Sequence, residues 1–295
     1  MQSAVLRAGS TAGWLNGFAG VVIFSASLPA TRVAVLDLDP LFLTFVRAAI
    51  AGILASALLW AFKEQRPARS DLGSLLVVAF GVVIGFPLLT ALALRHVTSA
   101  HAIVFIGLLP LATALFGVGR AGERPAAPFW AFSLAGSALV AGYAISQGGG
   151  AEASVTGDLL MMAAILVCGL GYAEGARLSR RLGGWQVISW ALVLALTFML
   201  PLAFLTAPSS LAGVGWPALV ALGYVSVFSM LIGFVFWYRG LAQGGIAAVG
   251  QLQLLQPFLG LALAAILLHE PVGWGLLAVA AGVVLCVAGA KRFSP

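Results

Sequence analysis

From Leu182 to Tyr238 the chain carries no charged side chain. A water-soluble domain charges about one residue in four, whereas here charged residues make up 8% and mean hydropathy is +1.09. Lipid removes the need for a charged outer face, provided that backbone groups bond to one another inside helices or a closed barrel. The uncharged run is too long for one spanning helix of about 20 residues. Thr206-Ala207-Pro208-Ser209-Ser210 divides it, because Pro and Ser in a cluster end helices. Applied along the chain, this reading predicts an all-α integral membrane protein with ten spans. They fall at 14–35, 40–62, 71–94, 99–119, 127–147, 157–178, 184–205, 214–239, 245–268 and 272–290. The first apolar run is long enough to span and is expected to stay as a helix rather than be cleaved.

The connections between these spans alternate in charge. One set holds Arg7, Lys63, Arg66, Arg69, Arg120, Arg124, Arg177, Arg180, Arg181, Arg239, Lys291 and Arg292, which is twelve of the fifteen basic residues. The other holds Arg95 with Asp37, Asp39, Glu152, Asp158 and Glu270. Basic loops stay on the cytoplasmic side, so both termini are expected in the cytoplasm of a bacterial cell, with the protein in its inner membrane. The net charge of +6 and pI near 10.0 do not point to nucleic acid, because the cations sit in short clusters between apolar runs. Cys168 and Cys286 lack any paired spacing and read as small apolar core residues.

The second half of the chain repeats the first. Pro110 precedes Glu123 by thirteen positions with Pro125 just after, and Pro257 precedes Glu270 by thirteen with Pro271 just after. Both pairs are separated by 147 residues. A repeat of five spans crosses the membrane an odd number of times, so its copies, 1–148 and 149–295, must be inverted. Secondary transporters are built this way, with substrate held near the midplane between the halves.

Ten spans, twin five-helix halves and the Pro-x12-Glu ends of the fourth and ninth helices resemble the EamA-type transporters of the drug/metabolite transporter superfamily. Within it, the chain is similar in general character to the YddG-type exporters of aromatic amino acids. The resemblance implies export of metabolites through a central cavity lined by both halves, with the fifth and tenth helices peripheral.

Enzyme signatures are scarce. His96, His101 and His269 are not spaced as metal ligands, and no phosphate loop or nucleophile elbow occurs. No catalytic residue, metal or cofactor is expected. Glu174 and Arg177 share a helix face at i, i+3 and read as an ion pair. Glu123 and Glu270 read as groups that cap or bridge helix ends. Arg47 lies roughly 10 Å into its helix from Pro40. A charge at such depth costs about 2.5–3.5 kcal/mol unless it meets protein, water or a partner. It is either a counter-charge for a carboxylate solute or an arginine reaching outward to Asp37 or Asp39; Arg32 is expected to snorkel.

The other candidates to line a solute path are Asn16, Phe86, His101, Phe105, Tyr224, Trp237, Gln251 and Gln253, through amides and imidazole that need partners and rings that can stack. Each of these carries a plainer reading as a packed or helix-end residue. Gln251 and Gln253 lie about 200° apart on an α-helix and cannot share one narrow face. Pro110 and Pro257 each remove a helix hydrogen bond and are the expected hinges, or else packing adjustments. Trp14, Trp60, Trp130, Trp216 and Trp274 read as anchors at the membrane interface.

The function expected is export of a small amphipathic solute, amino acids first, by alternating access in a bilayer, as a monomer or weak homodimer. Proton-coupled export of a drug or other metabolite is the nearest alternative. A channel or an integral-membrane enzyme is the rival from another class.

Overall fold

The computed structural model describes residues 2–93, 96–97, 102, 105–146, 154–210, 213–260, 262 and 274–294, with the side chains of 2–10, 28, 32, 144 and 276 left undescribed. The described residues are helical throughout, without strands. In chain order the helices are α1 Gln2–Ser25, α2 Ser27–Ala34, α3 Pro40–Ala61, α4 Arg69–Val78, α5 Phe86–Ala93, α6 Leu109–Ala121 and α7 Ala127–Ala144. There follow α8 Val155–Leu182, α9 Gly184–Leu205, α10 Trp216–Tyr224, α11 Gly233–Gly244, α12 Ile246–Gly250 and α13 Trp274–Arg292. Among the described residues six runs are long and apolar enough to cross a membrane: Thr11–Thr31, Pro40–Ala61, Arg69–Ala93, Val155–Leu182, Gly184–Leu205 and Trp216–Gly244; Leu109–Ala121 is a shorter apolar helix.

Local chemistry sets the ends. The Asp39 carboxylate accepts the N–H groups of Leu41 and Phe42 at 2.8 and 3.2 Å, and Pro40 takes the first position, where its missing donor costs nothing. Helix α9 stops at Leu205, where the chain enters the Thr206–Ser210 turn.

Two of the described spans run through a π-helix. The chain between α4 and α5 is a π-helix over Ala79–Gly85, and that between α10 and α11 is a π-helix over Val225–Ile232. The 147-residue offset carries 79–85 onto 226–232, so the same distortion occupies the same place in each half. A second match lies at the prolines. A turn at 107–108 precedes the helix that begins Leu109-Pro110, and a 3-10 segment, Gln251–Leu255, precedes the helical turn that begins Gln256-Pro257. Both prolines therefore stand at the second residue of an α-helical stretch. At that position proline removes no helix bond of its own and instead marks where the preceding turn cannot continue as α.

The packing obeys the same exchange of halves. Helix α3 packs along α9, α6 on α12, and α7 along α13, each pair joining equivalent spans. Helix α1 packs along α11, and α4 and α5 along α8, two contacts that the exchange converts into one another. Glycines bring the first of these together. Gly13 and Gly17 of α1 face Gly244 and Gly240 of α11, and a Cβ at Gly13 would lie 2.5 Å from the Gly244 nitrogen. Small residues at such a spacing let membrane helices approach backbone to backbone, where dispersion replaces the absent hydrophobic drive. A Cβ on Gly240 would overlap the Gly17 backbone, which cannot rotate away. Gly240→Leu is expected to destabilise the protein by about 1–3 kcal/mol or more, read as a lowered melting temperature in detergent. An unchanged melt would show that α1 and α11 part without cost.

Candidate solute site

Helices α1, α8 and α11 bring together a closed aromatic cluster. Phe24 lies 5.0 Å from Phe234 and 6.3 Å from Trp237, and Tyr172 lies 5.4 Å from Trp237 and 6.0 Å from Phe234, all edge to face. Tyr238 joins through Phe234 at 5.5 Å, and its hydroxyl donates to the Gly171 carbonyl at 3.1 Å. The i, i+3, i+4 spacing of Phe234, Trp237 and Tyr238 puts all three rings on one face of α11. Trp237 is fully buried.

Polar atoms of this cluster and of the 3-10 segment Gln251–Leu255 lack partners. The Trp237 Nε1–H, both side-chain atoms of Gln251 and both of Gln253 are enclosed with no hydrogen bond. Gln251 and Gln253 are 0% and 2% exposed. The Tyr172 hydroxyl is the polar neighbour of Gln253, outside hydrogen-bond geometry. An enclosed amide without a partner costs about 1–3 kcal/mol. Trp237, Gln251 and Gln253 thus hold five enclosed polar atoms that the folded chain leaves unpaired. Both glutamines are buried because the 3-10 segment is enclosed on every side, Leu252 and Leu254 being buried with them. Pro257 has no N–H to give the Gln253 carbonyl, which favours the tighter winding before it.

The other candidates lie elsewhere. Asn16 donates to the Ala12 carbonyl at 2.8 Å and to Gln243 Oε1 at 3.2 Å, so its amide is already satisfied within the α1–α11 contact. The Tyr224 hydroxyl donates to the Ile23 carbonyl at 2.7 Å, and its ring stacks on Phe228. Phe86 and Phe105 are half-buried against the main core. Arg47 stands on α3 with its Nε enclosed and unbonded. His101, His269 and Glu270 lie outside the described residues, and so does the side chain of Arg32. Sequence reasoning missed Tyr172, Phe24, Phe234 and Tyr238. The spacing 234, 237, 238 was the available signal.

At the end of the bundle carrying the basic loops, the halves are clamped by charge. Helix α6 ends on Gly122, whose φ of +69° turns the chain so that Glu123 points inward. Glu123 is 8% exposed and accepts the Ile246 N–H and the Ala247 N–H, each at 2.7 Å, together with Arg180 at 2.8 Å. Gly245, the N-cap of α12, has no side chain to satisfy those donors. The carboxylate of the first half does so instead, reinforced by the positive end of the helix. Beside it Glu174, fully buried, takes Arg120 at 2.8 Å and Arg177, the expected i, i+3 partner, while Arg181 pairs with Asp71. Trp60, Trp216 and Trp274 are more than 70% exposed, as interface anchors are, whereas Trp14 is half-buried beneath the Lys291 ammonium at 4.4 Å.

The paired π-segments, the aromatic cluster and the charged clamp between halves mark a duplicated helical membrane bundle. The chain matches the model of the EamA-like transporter family twice, over residues 11–145 and 155–291, and it belongs to that family. It is 72% identical, over 97% of its length and 99% of the relative's, to the uncharacterized transporter YdeK of Bacillus subtilis (strain 168). It is 26% identical, over 85% and 83% of the two chains, to a probable terminal-alkyne amino-acid exporter of Streptantibioticus cattleyicolor. A solved crystal structure superposes with a TM-score of 0.80 at 22% identity, covering 94% of this chain and 97% of that one, which shows the shared fold. The protein is thus a multi-pass transporter of a bacterial inner membrane.

Proposed function

We propose that the protein exports a small amphipathic metabolite, foremost amino acids with aromatic ones included, by alternating access between halves 1–148 and 149–295. The observation that carries this is the set of unpartnered polar atoms on Gln251, Gln253 and Trp237, with the Trp237 indole inside the aromatic cluster and Gln253 beside its Tyr172. A solute with a polar head and an apolar body satisfies both the polar atoms and the rings. The Streptantibioticus relative, by its name an amino-acid exporter, supports the solute class.

In this reading ten spans place the clamp of Glu123 and Glu174 at the cytoplasmic end. Cysteine labelling at Gln65 from the cytoplasmic side alone checks that orientation. The carboxylates within the described spans all have partners: Glu174 has two arginines, Asp71 has Arg181, and Asp158 has an interaction of its own. That favours facilitated exchange over proton antiport, which needs a free titratable group in the path. Counterflow in liposomes is the test: preloaded unlabelled amino acid should drive saturable uptake of labelled amino acid without a proton gradient. Uptake that requires such a gradient, or that accepts only drug-like cations, would replace this reading with the proton-coupled one. No saturable exchange of any solute would end it.

Pro110 and Pro257 act as hinges in this cycle, each sitting where an irregular turn gives way to an α-helix at the equivalent place in its half. Pro257→Ala supplies a donor for the Gln253 carbonyl and should let the 3-10 segment rewind as α. Exchange should slow several-fold while the protein remains monodisperse. Normal exchange by both alanine variants would reduce the prolines to packing residues.

A further inference from the structure

Among the described residues Arg47 is a cation at intramembrane depth with no counter-charge. Seven residues separate it from Pro40, about 10 Å along α3, and its Nε is enclosed without a hydrogen-bond partner. The two carboxylates within outward reach are engaged elsewhere. Asp37 accepts the Gly215 N–H at 2.8 Å, and Asp39 caps its own helix at Leu41 and Phe42. The others are committed too: Glu64 to Gln186, Asp71 to Arg181, Glu123 to Arg180, and Glu174 to Arg120 and Arg177, while Asp158 has an interaction of its own. An arginine left unpaired at this depth is costly and marks a functional position. Helix α3 also packs against both π-helical segments, and such segments recur at functional sites.

We infer that Arg47 receives the carboxylate of the solute, so that a carboxylate and not an ammonium is the charged group the transporter reads. The guanidinium fork matches a carboxylate with two parallel N–H···O bonds. Every described carboxylate already has a partner, and the unpartnered glutamine amides and indole N–H are neutral. The solute class is therefore monocarboxylates with an apolar or aromatic body. Amino acids fall within it, and their deaminated or N-acylated counterparts do as well. Amines made by losing the carboxylate fall outside it.

This rests on the transport reading above, and the test separates the two. Competition in counterflow would be measured for phenylalanine and leucine, their N-acetyl derivatives, their C-terminal amides and the corresponding decarboxylated amines. Free acids, acetylated or not, should compete at least about tenfold better than amides and amines, the effect of one charge-assisted pair. Arg47→Gln should weaken the acids by a similar factor and leave the amides unchanged. Arg47→Lys, which keeps the charge but loses the fork, should fall between. If Arg47→Gln does not fold, the wild-type series alone decides. Equal competition by acids and amides, or equal weakening of both by Arg47→Gln, overturns the inference while transport stands. No counterflow of any probe by the wild type overturns the transport reading and this inference together.

Discussion

Glu123→Ala is expected to lower stability by about 2–5 kcal/mol, chiefly through the two backbone donors it strands. The Ile246 and Ala247 N–H groups are buried, and Gly245 ahead of them offers no replacement acceptor. Each enclosed donor left unmade costs about 1–3 kcal/mol. Arg180 is 41% exposed and can return to water, so its share is that of a surface pair, below about 1 kcal/mol. Arg180→Ala should therefore shift the melting temperature in detergent far less than Glu123→Ala does. Glu123→Gln keeps one acceptor and should fall between them. Equal shifts for the alanine variants at 123 and 180 would mean that the ion pair, not the capping of α12, holds the halves. Because the carboxylate belongs to one half and the donors to the other, the loss should also raise the accessibility of a cysteine placed at Ala121. An unchanged labelling rate would show that the clamp does not seal that end.

The opposite sign is expected at the centre. Replacing Gln251 and Gln253 together by leucine should stabilise the protein, by roughly 1–3 kcal/mol, while abolishing exchange. Both amides are enclosed without partners, and exchanging an unsatisfied polar group for an apolar one of similar volume removes a desolvation cost. Binding sites often carry such costs, because the ligand, not the fold, completes the hydrogen bonds. A raised melting temperature with exchange lost would place the amides in the solute path. A lowered one would show that they are bonded in the folded protein. Exchange at the normal rate would move the path elsewhere, whatever happens to stability.

How far the sequence reached depended on the range of the interaction. The spans followed from apolar length, and α9 occupies 184–205 as expected, because lipid forces each helix to satisfy its own backbone and a charge-free run cannot do so any other way. The Glu174–Arg177 pair was legible for the same reason, since i, i+3 geometry is fixed within one helix. The repeat was legible in two proline–glutamate spacings, and the structure added the paired π-segments, for which no residue pattern had given warning.

What the chain could not disclose lay between helices. That Asn16 meets Gln243 and Tyr224 meets the Ile23 carbonyl depends on how α1 approaches α10 and α11, and residues more than 200 positions apart leave no local trace of their contact. The aromatic shell around Trp237 was hidden likewise, because Phe24, Tyr172 and Phe234 come from three separate spans. Sequence marked Glu123 as a helix-end group; only tertiary structure decided that the end it caps belongs to the other half. Apolar length, charge placement and repeat spacing are properties of the chain alone, and they determined a membrane-embedded, duplicated helical bundle. Which polar atoms find partners and which do not is settled only when the two halves pack, because partnership is a property of the interface and not of either residue.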